Sequence, residues 1–310
     1  MTAAAPTSVA GTLYVVATPI GNLGDVTLRA LDVLRTVPLI ASEDTRVTRR
    51  LLARHDIGTR LLSFHARSGP GRLAELLAHL RGGADLALTT DAGTPGVSDP
   101  GEELVVAWAA EGGRVVPIPG ASAVLAAVAA TGVAGPRWAF EGFLPRRGSE
   151  RQARLRRIAE DDRGTVLYEA ANRVAGTLSD LAEACGGERP AAVCRELTKI
   201  HEQIVRGSLA ELGAAVVAGS IPARGEVVLV VGAGTAAGRR DPSAGPSLAD
   251  GRAEVARRVR AGMGRSEAAR RVAAETGLPR RLLYQAEADG SIDERDQSGR
   301  TARRRSAPSG

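Results

Sequence analysis

The sequence predicts an α/β protein: two α/β domains followed by a small helical module. Three features predict it. Strand-length apolar runs alternate with helically spaced ones through residue 117, the pattern becomes richer in strands after Pro136, and a glycine, proline and arginine stretch at 233–247 precedes three more helical runs. At 310 residues the chain has room for two ordinary domains and a tail. Apolar content of 44% supports real cores, and aromatic content of 3% makes them cores of Ala, Val and Leu.

The elements follow in order. Residues 12–17 are apolar and strand-like, and 26–35 repeat Leu28, Leu31 and Leu34 at helical spacing. A short apolar run at 39–41 precedes a helical stretch at 45–54. A brief strand at 60–63 leads to a helix at 71–81, marked by Leu73, Leu76, Leu77 and Leu80. Strands at 86–89 and 114–117 flank a helix at 102–110. This alternation predicts a mostly parallel sheet with ligand loops beyond the carboxyl ends of its strands. The run Thr131-Gly132-Val133-Ala134-Gly135-Pro136 breaks the pattern. Beyond it, 138–143, 164–168, 191–196, 203–206 and 226–231 read as strands, and 151–159, 174–184 and 209–217 as helices, with more antiparallel character. The expected domains are 11–132 and 133–232, after a disordered 1–10, with a flexible linker at 233–247. A helical module spans 248–288, with helices at 248–260 and 266–275. Ser266 is the expected N-cap of the second, Gly277 breaks the chain, and Pro279 opens a third near Leu282. The outline suits a helix-turn-helix or a plain helical hairpin. Residues 289–310 read as a disordered basic tail.

Three unusual loops fall at strand ends: A-T-P-I-G-N-L-G-D at 17–25, T-D-A-G-T-P-G-V-S-D-P-G at 90–101 and P-I-P-G-A-S-A at 117–123. The second packs glycines and prolines into a loop whose backbone can approach a ligand. Its only charges, Asp91 and Asp99, argue against phosphate and for a ligand with hydroxyls or a positive centre. Ser42-Glu43-Asp44-Thr45-Arg46 sets two carboxylates before a helix, where capping or chemistry would each explain them. Tyr168 to Arg173 and Glu196 to Glu202 gather charged residues at two further strand ends, and Arg146 with Arg147 forms an adjacent pair suited to phosphates. Gly232 to Gly238 follows a strand, but no helix follows it, so it reads as linker. P-loop, zinc-protease and serine-hydrolase signatures are missing.

The charge is uneven. Residues 235–310 carry 16 arginines against 10 acids, while the rest carries 25 of each sign, so the whole excess of +6 lies at the C-terminal end. A basic segment is a handle for polyanions, nucleic acid first, or a solubilising tail. Lys199 is the single lysine among 41 basic residues, which marks a position where a compact ammonium is wanted. Cys185 and Cys194 read as reduced cytoplasmic thiols, and the four histidines show no metal-ligand spacing, so no metal is expected. No run approaches the roughly 20 apolar residues of a membrane span, and the N-terminus does not read as a secretory signal.

Taken in series, eight stretches resemble the S-adenosylmethionine-dependent tetrapyrrole-methylase superfamily, and within it the bacterial 16S ribosomal RNA (cytidine-2'-O)-methyltransferases. They are L-Y-V-V-A-T-P-I-G-N-L-G-D from Leu13, S-E-D-T-R from Ser42, D-A-G-T-P-G-V-S-D-P-G from Asp91, P-I-P-G-A-S-A from Pro117, E-G-F-L-P from Glu141, Y-E-A-A-N-R from Tyr168, R-E-L-T-K from Arg195 and G-E-V-V-L-V from Gly225. Residues 265–284 resemble the helical module often found at the end of such proteins. The resemblance implies a two-domain tetrapyrrole-methylase-like fold with S-adenosylmethionine in the cleft. It places cofactor contacts at Pro19, Ile20, Asp91, Ala92, Gly93, Thr94, Ser122, Ala123, Tyr168, Leu197 and Thr198. It implies a cytoplasmic homodimer that methylates a cytidine ribose of 16S rRNA in the decoding region of the small ribosomal subunit. Lys199 is the first candidate for catalysis, as base or as charge, with Glu43, Asp44 and Glu169 as rival bases. Arg46, Arg146, Arg147 and Arg173 are candidates for RNA phosphates. Ala171 and Asn172 depart from the Pro and His common in relatives, so Asn172 is given no catalytic role. A tetrapyrrole C-methyltransferase and a non-enzymatic RNA-binding assembly factor are the alternatives. The basic tail speaks against the first and the scarcity of aromatics against the second.

Overall fold

The computed structural model describes residues 10–234, 248–260 and 262–284. Residues 1–9 of the expected tail at 1–10, 235–247 of the expected linker, 261 and 285–288 of the expected helical module, and the expected tail at 289–310 lie outside the described residues. Five strands form the first sheet: β1 (Thr12–Val16), β2 (Leu39–Ser42), β3 (Leu61–Ser63), β4 (Leu86–Thr89) and β5 (Arg114–Ile118). They pair in the order β3-β2-β4-β1-β5, all parallel. Successive side chains of a strand point to opposite faces. In the central β4, Leu86 and Leu88 join the core under α3 (Pro70–Arg81) and α4 (Glu102–Ala110). Ala87 joins the core under α1 (Leu28–Thr36) and α2 (Thr45–Arg54). A strand covered on both faces has no polar alternation, which is why β4 reads as a continuous apolar run. Trp108 on α4 is 2% exposed, and its removal to Ala would cost about 3–5 kcal/mol.

The second sheet is mixed. Its strands are β6 (Trp138–Phe143), β7 (Gly164–Ala170), β8 (Pro190–Arg195), β9 (Gln203–Ser208) and β10 (Glu226–Val231), in the order β6-β7-β10-β8-β9. The β6–β7 pair is parallel and the other three are antiparallel. One face packs on α6 (Ser149–Glu160), α7 (Val174–Cys185) and α8 (Leu209–Val217) through Leu155, Leu178 and Leu212. The other face, with Val166, Cys194, Val228 and Val230, packs on Val124 and Ala127 of α5 (Ala123–Thr131).

The sequence reading does not anticipate α5. Its residues, A-V-L-A-A-V-A-A-T, are apolar on every side, so no amphipathic period shows. Its ends are nevertheless marked. The Ser122 hydroxyl accepts from the Leu125 amide at 3.4 Å, and Gly132 closes the helix at φ +67°. This helix follows the last strand of the first sheet and covers the second, and so ties the two halves together.

The last three helices, α9 (Leu248–Arg260), α10 (Arg265–Thr276) and α11 (Arg280–Tyr284), share a core of Val255, Ala268, Ala269, Val272 and Leu283. Ser266 is not an N-cap. The helix begins earlier, at Arg265 after Gly264, and the Ser266 hydroxyl accepts instead from Arg280 at 2.8 Å. No described helix is long and apolar enough to cross a membrane.

Candidate active site

The parallel sheet delivers its loops to one edge, and two of them bond each other. The Thr18 amide donates to the Gly93 carbonyl at 2.8 Å, and the Gly93 amide returns a bond to the Thr18 carbonyl at 3.1 Å. The buried Thr18 hydroxyl donates to the Thr90 carbonyl at 3.1 Å. These bonds pair backbone groups that a glycine-rich loop would otherwise leave open. Gly93 sits at φ +80°, where an L side chain is strained, although a Cβ would meet Ile20 at an ordinary 3.6 Å. Conformation, not space, requires glycine there.

Between the two sheets lies a cavity of about 340 Å³. That is toward the small end of ligand sites, roughly 300–1,000 Å³. Eight of the eleven residues expected to hold the cofactor share its wall: Ile20, Ala92, Gly93, Thr94, Ser122, Ala123, Tyr168 and Leu197. Pro19, Asp91 and Thr198 are not part of it. Pro19 is buried in the loop. The Asp91 carboxylate accepts from the Asp44 amide at 2.9 Å. Thr198 borders an open recess that shares Ile20 and Ser122 with the cavity, and its hydroxyl accepts from the Asn22 amide at 3.1 Å. Tyr168 meets Phe140 edge-on at 4.9 Å between ring centres and Phe143 at 5.5 Å. Phe143, half exposed, extends this apolar wall to the cavity mouth.

The turn after β8 is strained. Glu196 and Thr198 hold φ of +52° and +67°, which costs about 1 kcal/mol or more each in non-glycine residues. Hydrogen bonds hold the turn: the Thr198 amide donates to Glu202 at 2.7 Å, and the Glu226 amide to Glu196 at 2.9 Å. The result puts Leu197 in the cavity wall and carries Lys199 between two acids. Its Nζ lies 3.0 Å from Glu196 and 2.9 Å from Glu226. Burial acts to lower the Lys199 pKa, but the bonds from Glu226 and Glu196 outweigh it and raise it. Lys199 is therefore a fixed cation, not a neutral amine, which sets aside the role of base. Its stem lies against Gly21, where a Cβ would fall 2.5 Å from the Lys199 Cγ.

The rival bases separate by environment. Asp44 caps α2, accepting from the Arg46 amide at 2.8 Å, and pairs with the Arg46 guanidinium at 2.6 Å. Those Arg46 bonds hold its carboxyl down at about 2. Glu169 is 2% exposed and fully engaged: Ala170 donates at 2.8 Å, the Thr177 hydroxyl at 2.6 Å, and Arg173 pairs at 3.3 Å. Burial raises Glu43. It receives the Asp91 amide at 3.3 Å and is outside the cavity wall. Burial likewise raises Asp91. A residue the sequence reading left without a role stands in the wall instead. Burial, then repulsion from Glu43 and Asp91, lifts Asp99 to about 6. Glu226 and Val228 also line the cavity, brought there by the antiparallel pairing of β10 with β7, which sequence spacing does not reveal.

Of the four arginines, Arg46, Arg146 and Arg147 are exposed. Arg173 points inward, donating to the Leu144 carbonyl at 2.9 Å besides pairing with Glu169. Among the described residues no group of three or more His, Cys, Asp or Glu is arranged to hold a metal ion. Both cysteines are free.

Residues 12–213 match the family model described as Tetrapyrrole (Corrin/Porphyrin) Methylases. The chain is 47% identical over 284 residues to Ribosomal RNA small subunit methyltransferase I of Synechocystis sp., covering 90% of this chain and 100% of the relative. It is 47% identical over 224 residues to the protein of the same name from Xylella fastidiosa (strain Temecula1), covering 72% and 82%. Among solved structures it is similar to a cobalt precorrin-4 methyltransferase, with a TM-score of 0.53, 19% identity and coverage of 71% and 94%. It is also similar to uroporphyrin-III C-methyl transferase from Thermus thermophilus complexed with S-adenosyl homocysteine, with a TM-score of 0.53, 20% identity and coverage of 72% and 97%. At those identities the solved structures bear on the fold alone.

Proposed function

The chain belongs to the Tetrapyrrole (Corrin/Porphyrin) Methylases and is an S-adenosylmethionine-dependent methyltransferase, and on that premise we propose that it methylates the 2'-hydroxyl of a cytidine in 16S rRNA, in the decoding region of the small subunit. The observation that carries the reading is the electrostatics of the cavity: Asp99, Glu169 and Glu226 stand in its wall, with no lysine or arginine among the lining residues. A positive sulfonium suits that field and a phosphate does not. The name shared by the relatives supports ribosomal RNA as the acceptor.

The residues present fit S-adenosylmethionine. Ala92 and Gly93 offer bare backbone, and Tyr168 with Phe143 offers an aromatic wall. The Thr90 hydroxyl, 2% exposed, has no hydrogen-bond partner among the described residues and lies outside the cavity wall, beside Asp99. When bound, the cofactor supplies a methyl group on a positive sulfur. Ile20, Thr94, Ser122, Ala123 and Leu197 complete the wall that would hold it, and Pro19, Asp91 and Thr198 shape the loops from outside.

The protein's part is orientation and charge. Holding the ribose oxygen in line with the methyl group removes several kcal/mol of barrier, on the order of the gains known for oriented reactants. Lys199, held as a cation by Glu196 and Glu226, would favour negative charge developing on that oxygen. Arg46, Arg146 and Arg147 are exposed to meet phosphates. Arg173 would act indirectly, by bracing Glu169. The working form is taken to be a cytoplasmic homodimer; the exposed Val106 and Leu125 side chains are consistent with a covered surface.

The test is a map of 2'-O-methyl groups on 16S rRNA from cells with and without this protein, with addition of purified protein to the deficient subunits. Loss and restoration of a single 2'-O-methylcytidine is the expected result. An unchanged map, with no methyl transfer to subunits, would overturn the reading.

A further inference from the structure

We propose that Asp99 is the proton acceptor of this site, the carboxylate that takes the proton of the acceptor hydroxyl as the methyl group arrives. The inference rests on the reaction proposed above and identifies a residue within it.

The assignment follows from the partners of each acid. Three carboxylate side chains stand in the cavity wall. Glu169 is engaged by Ala170, Thr177 and Arg173. Glu226 is paired with Lys199. Asp99 has neither: among the described residues no ion pair or full hydrogen bond engages its carboxylate. The buried Thr90 hydroxyl lies near enough to favour its charged form but within no hydrogen bond. The groups facing Asp99 are Glu43 after β2, Asp91 after β4 and the Tyr168 hydroxyl on β7. Burial first, and then the charges of Glu43 and Asp91, raise its proton affinity toward the near-neutral value at which a general base is most effective, while Tyr168 stays neutral there. Its residence on the loop after β4 is also fixed: Ser98, just before it, holds φ +65°, and Gly101, just after, holds φ +117°.

The step balances without any other reactant. The ribose oxygen forms a bond to the methyl carbon, and its proton passes to Asp99. The pair of the broken carbon–sulfur bond stays on sulfur, leaving a neutral thioether. A positive sulfur held in this cavity would favour charged Asp99 before transfer. Its loss of charge afterwards lets Asp99 hold the proton until water removes it.

The test compares Asp99→Asn and Asp99→Glu with the unaltered full chain on small ribosomal subunits. Asp99→Asn should lower kcat about 100-fold or more while Kd for S-adenosylhomocysteine changes less than about threefold. Asp99→Glu should recover part of kcat, and the acid limb of the kcat profile should vanish in Asp99→Asn. In the ligand-free protein, carboxyl-labelled NMR should find a group titrating near 6 that Asp99→Asn removes. Unchanged kcat, or a loss confined to S-adenosylhomocysteine affinity, would overturn the proposal. If the unaltered chain methylates no subunit, the ribosomal reading fails. The NMR titration still decides then, because an Asp99 that titrates in the ordinary carboxylate range is no base at neutral pH.

Discussion

On the parallel-sheet side of the cavity, Asp99 in the wall and Glu43 and Asp91 outside it have no ion-pair partner among the described residues, and burial raises all three. On the mixed-sheet side, Glu169 and Glu226 in the wall and Glu196 behind it are all engaged. Glu169 is gripped by Thr177 and Arg173, and Glu196 and Glu226 share Lys199. Glu196 is lowered, first by the Glu226 amide and then by Lys199. The same side-chain chemistry thus does two jobs. Raised, unpaired acids can accept a proton and can welcome a positive ligand. Saturated acids cannot; they hold the backbone and one ammonium in place. The first wall is suited to exchange and the second to anchoring.

The difference is broken most severely at Glu169. Glu169→Ala would leave the Thr177 hydroxyl, 1% exposed, without its acceptor and Arg173 without its counter-ion. Removing one partner of a buried ion pair costs about 3–5 kcal/mol. Urea denaturation should show a loss of that order, whereas Asp99→Ala should lose less than about 1 kcal/mol, since no bond depends on it. Equal losses would mean that the two walls do not differ as described.

Next in size is Lys199. Its Nζ is within 3.0 Å of both acids while its stem touches Gly21, a geometry set for a slender chain ending in a point charge. Lys199→Arg should fold and keep S-adenosylhomocysteine affinity within about threefold, yet lose about ten- to a hundredfold in turnover, a change of roughly 1.4–2.8 kcal/mol in the barrier. Single-turnover methyl transfer to small subunits measures it, and unchanged turnover would remove Lys199 from the reaction.

These two residues also show how far sequence alone can be read. In the first half, α2 and α4 coincide with the stretches expected from periodicity, and β4 with its apolar run, because local pattern and tertiary burial agree there. Helix α5 escaped because its exposed side, with Leu125, is as apolar as its buried one, which removes the pattern that announces a helix. In the site, the glycine-rich loop and its bonded partner after β1 were legible, since backbone freedom is written in glycine and proline. The role of each acid was not. Glu169 resembles a catalytic carboxylate in sequence, and only the fold brings Thr177 and Arg173 onto both of its oxygens. Asp99 looks like one more loop charge, and only the fold half-buries it beside Glu43 and Asp91 with no described cation against it. Lone lysine usage singles out Lys199, but whether it is neutral or charged depends on Glu226, which is 27 positions away.

The smallest effect is the most direct readout of the first wall. The folded pKa of Asp99 is about 6, above the ordinary aspartate value of about 3.9 in an unfolded chain. Between those values the folded state binds more protons than the unfolded one, so stability of the ligand-free protein falls as pH rises through this window. Above it the whole penalty is present. Two pKa units correspond to nearly 3 kcal/mol, but Asp99 is only half-buried, and solvent screening reduces the expected figure to about 1 kcal/mol. Asp99→Asn removes the charge and keeps the shape. At neutral pH it should therefore melt about 2–4 °C higher than the unaltered protein without ligand. At about pH 4, where the native aspartate is already protonated, the two should coincide. Glu43 and Asp91 are raised as well, but they are common to both proteins and drop out of the difference. A variant that melts lower at neutral pH would show that the Asp99 carboxylate is held by the fold, and the contrast between an exchanging wall and an anchoring wall would be lost.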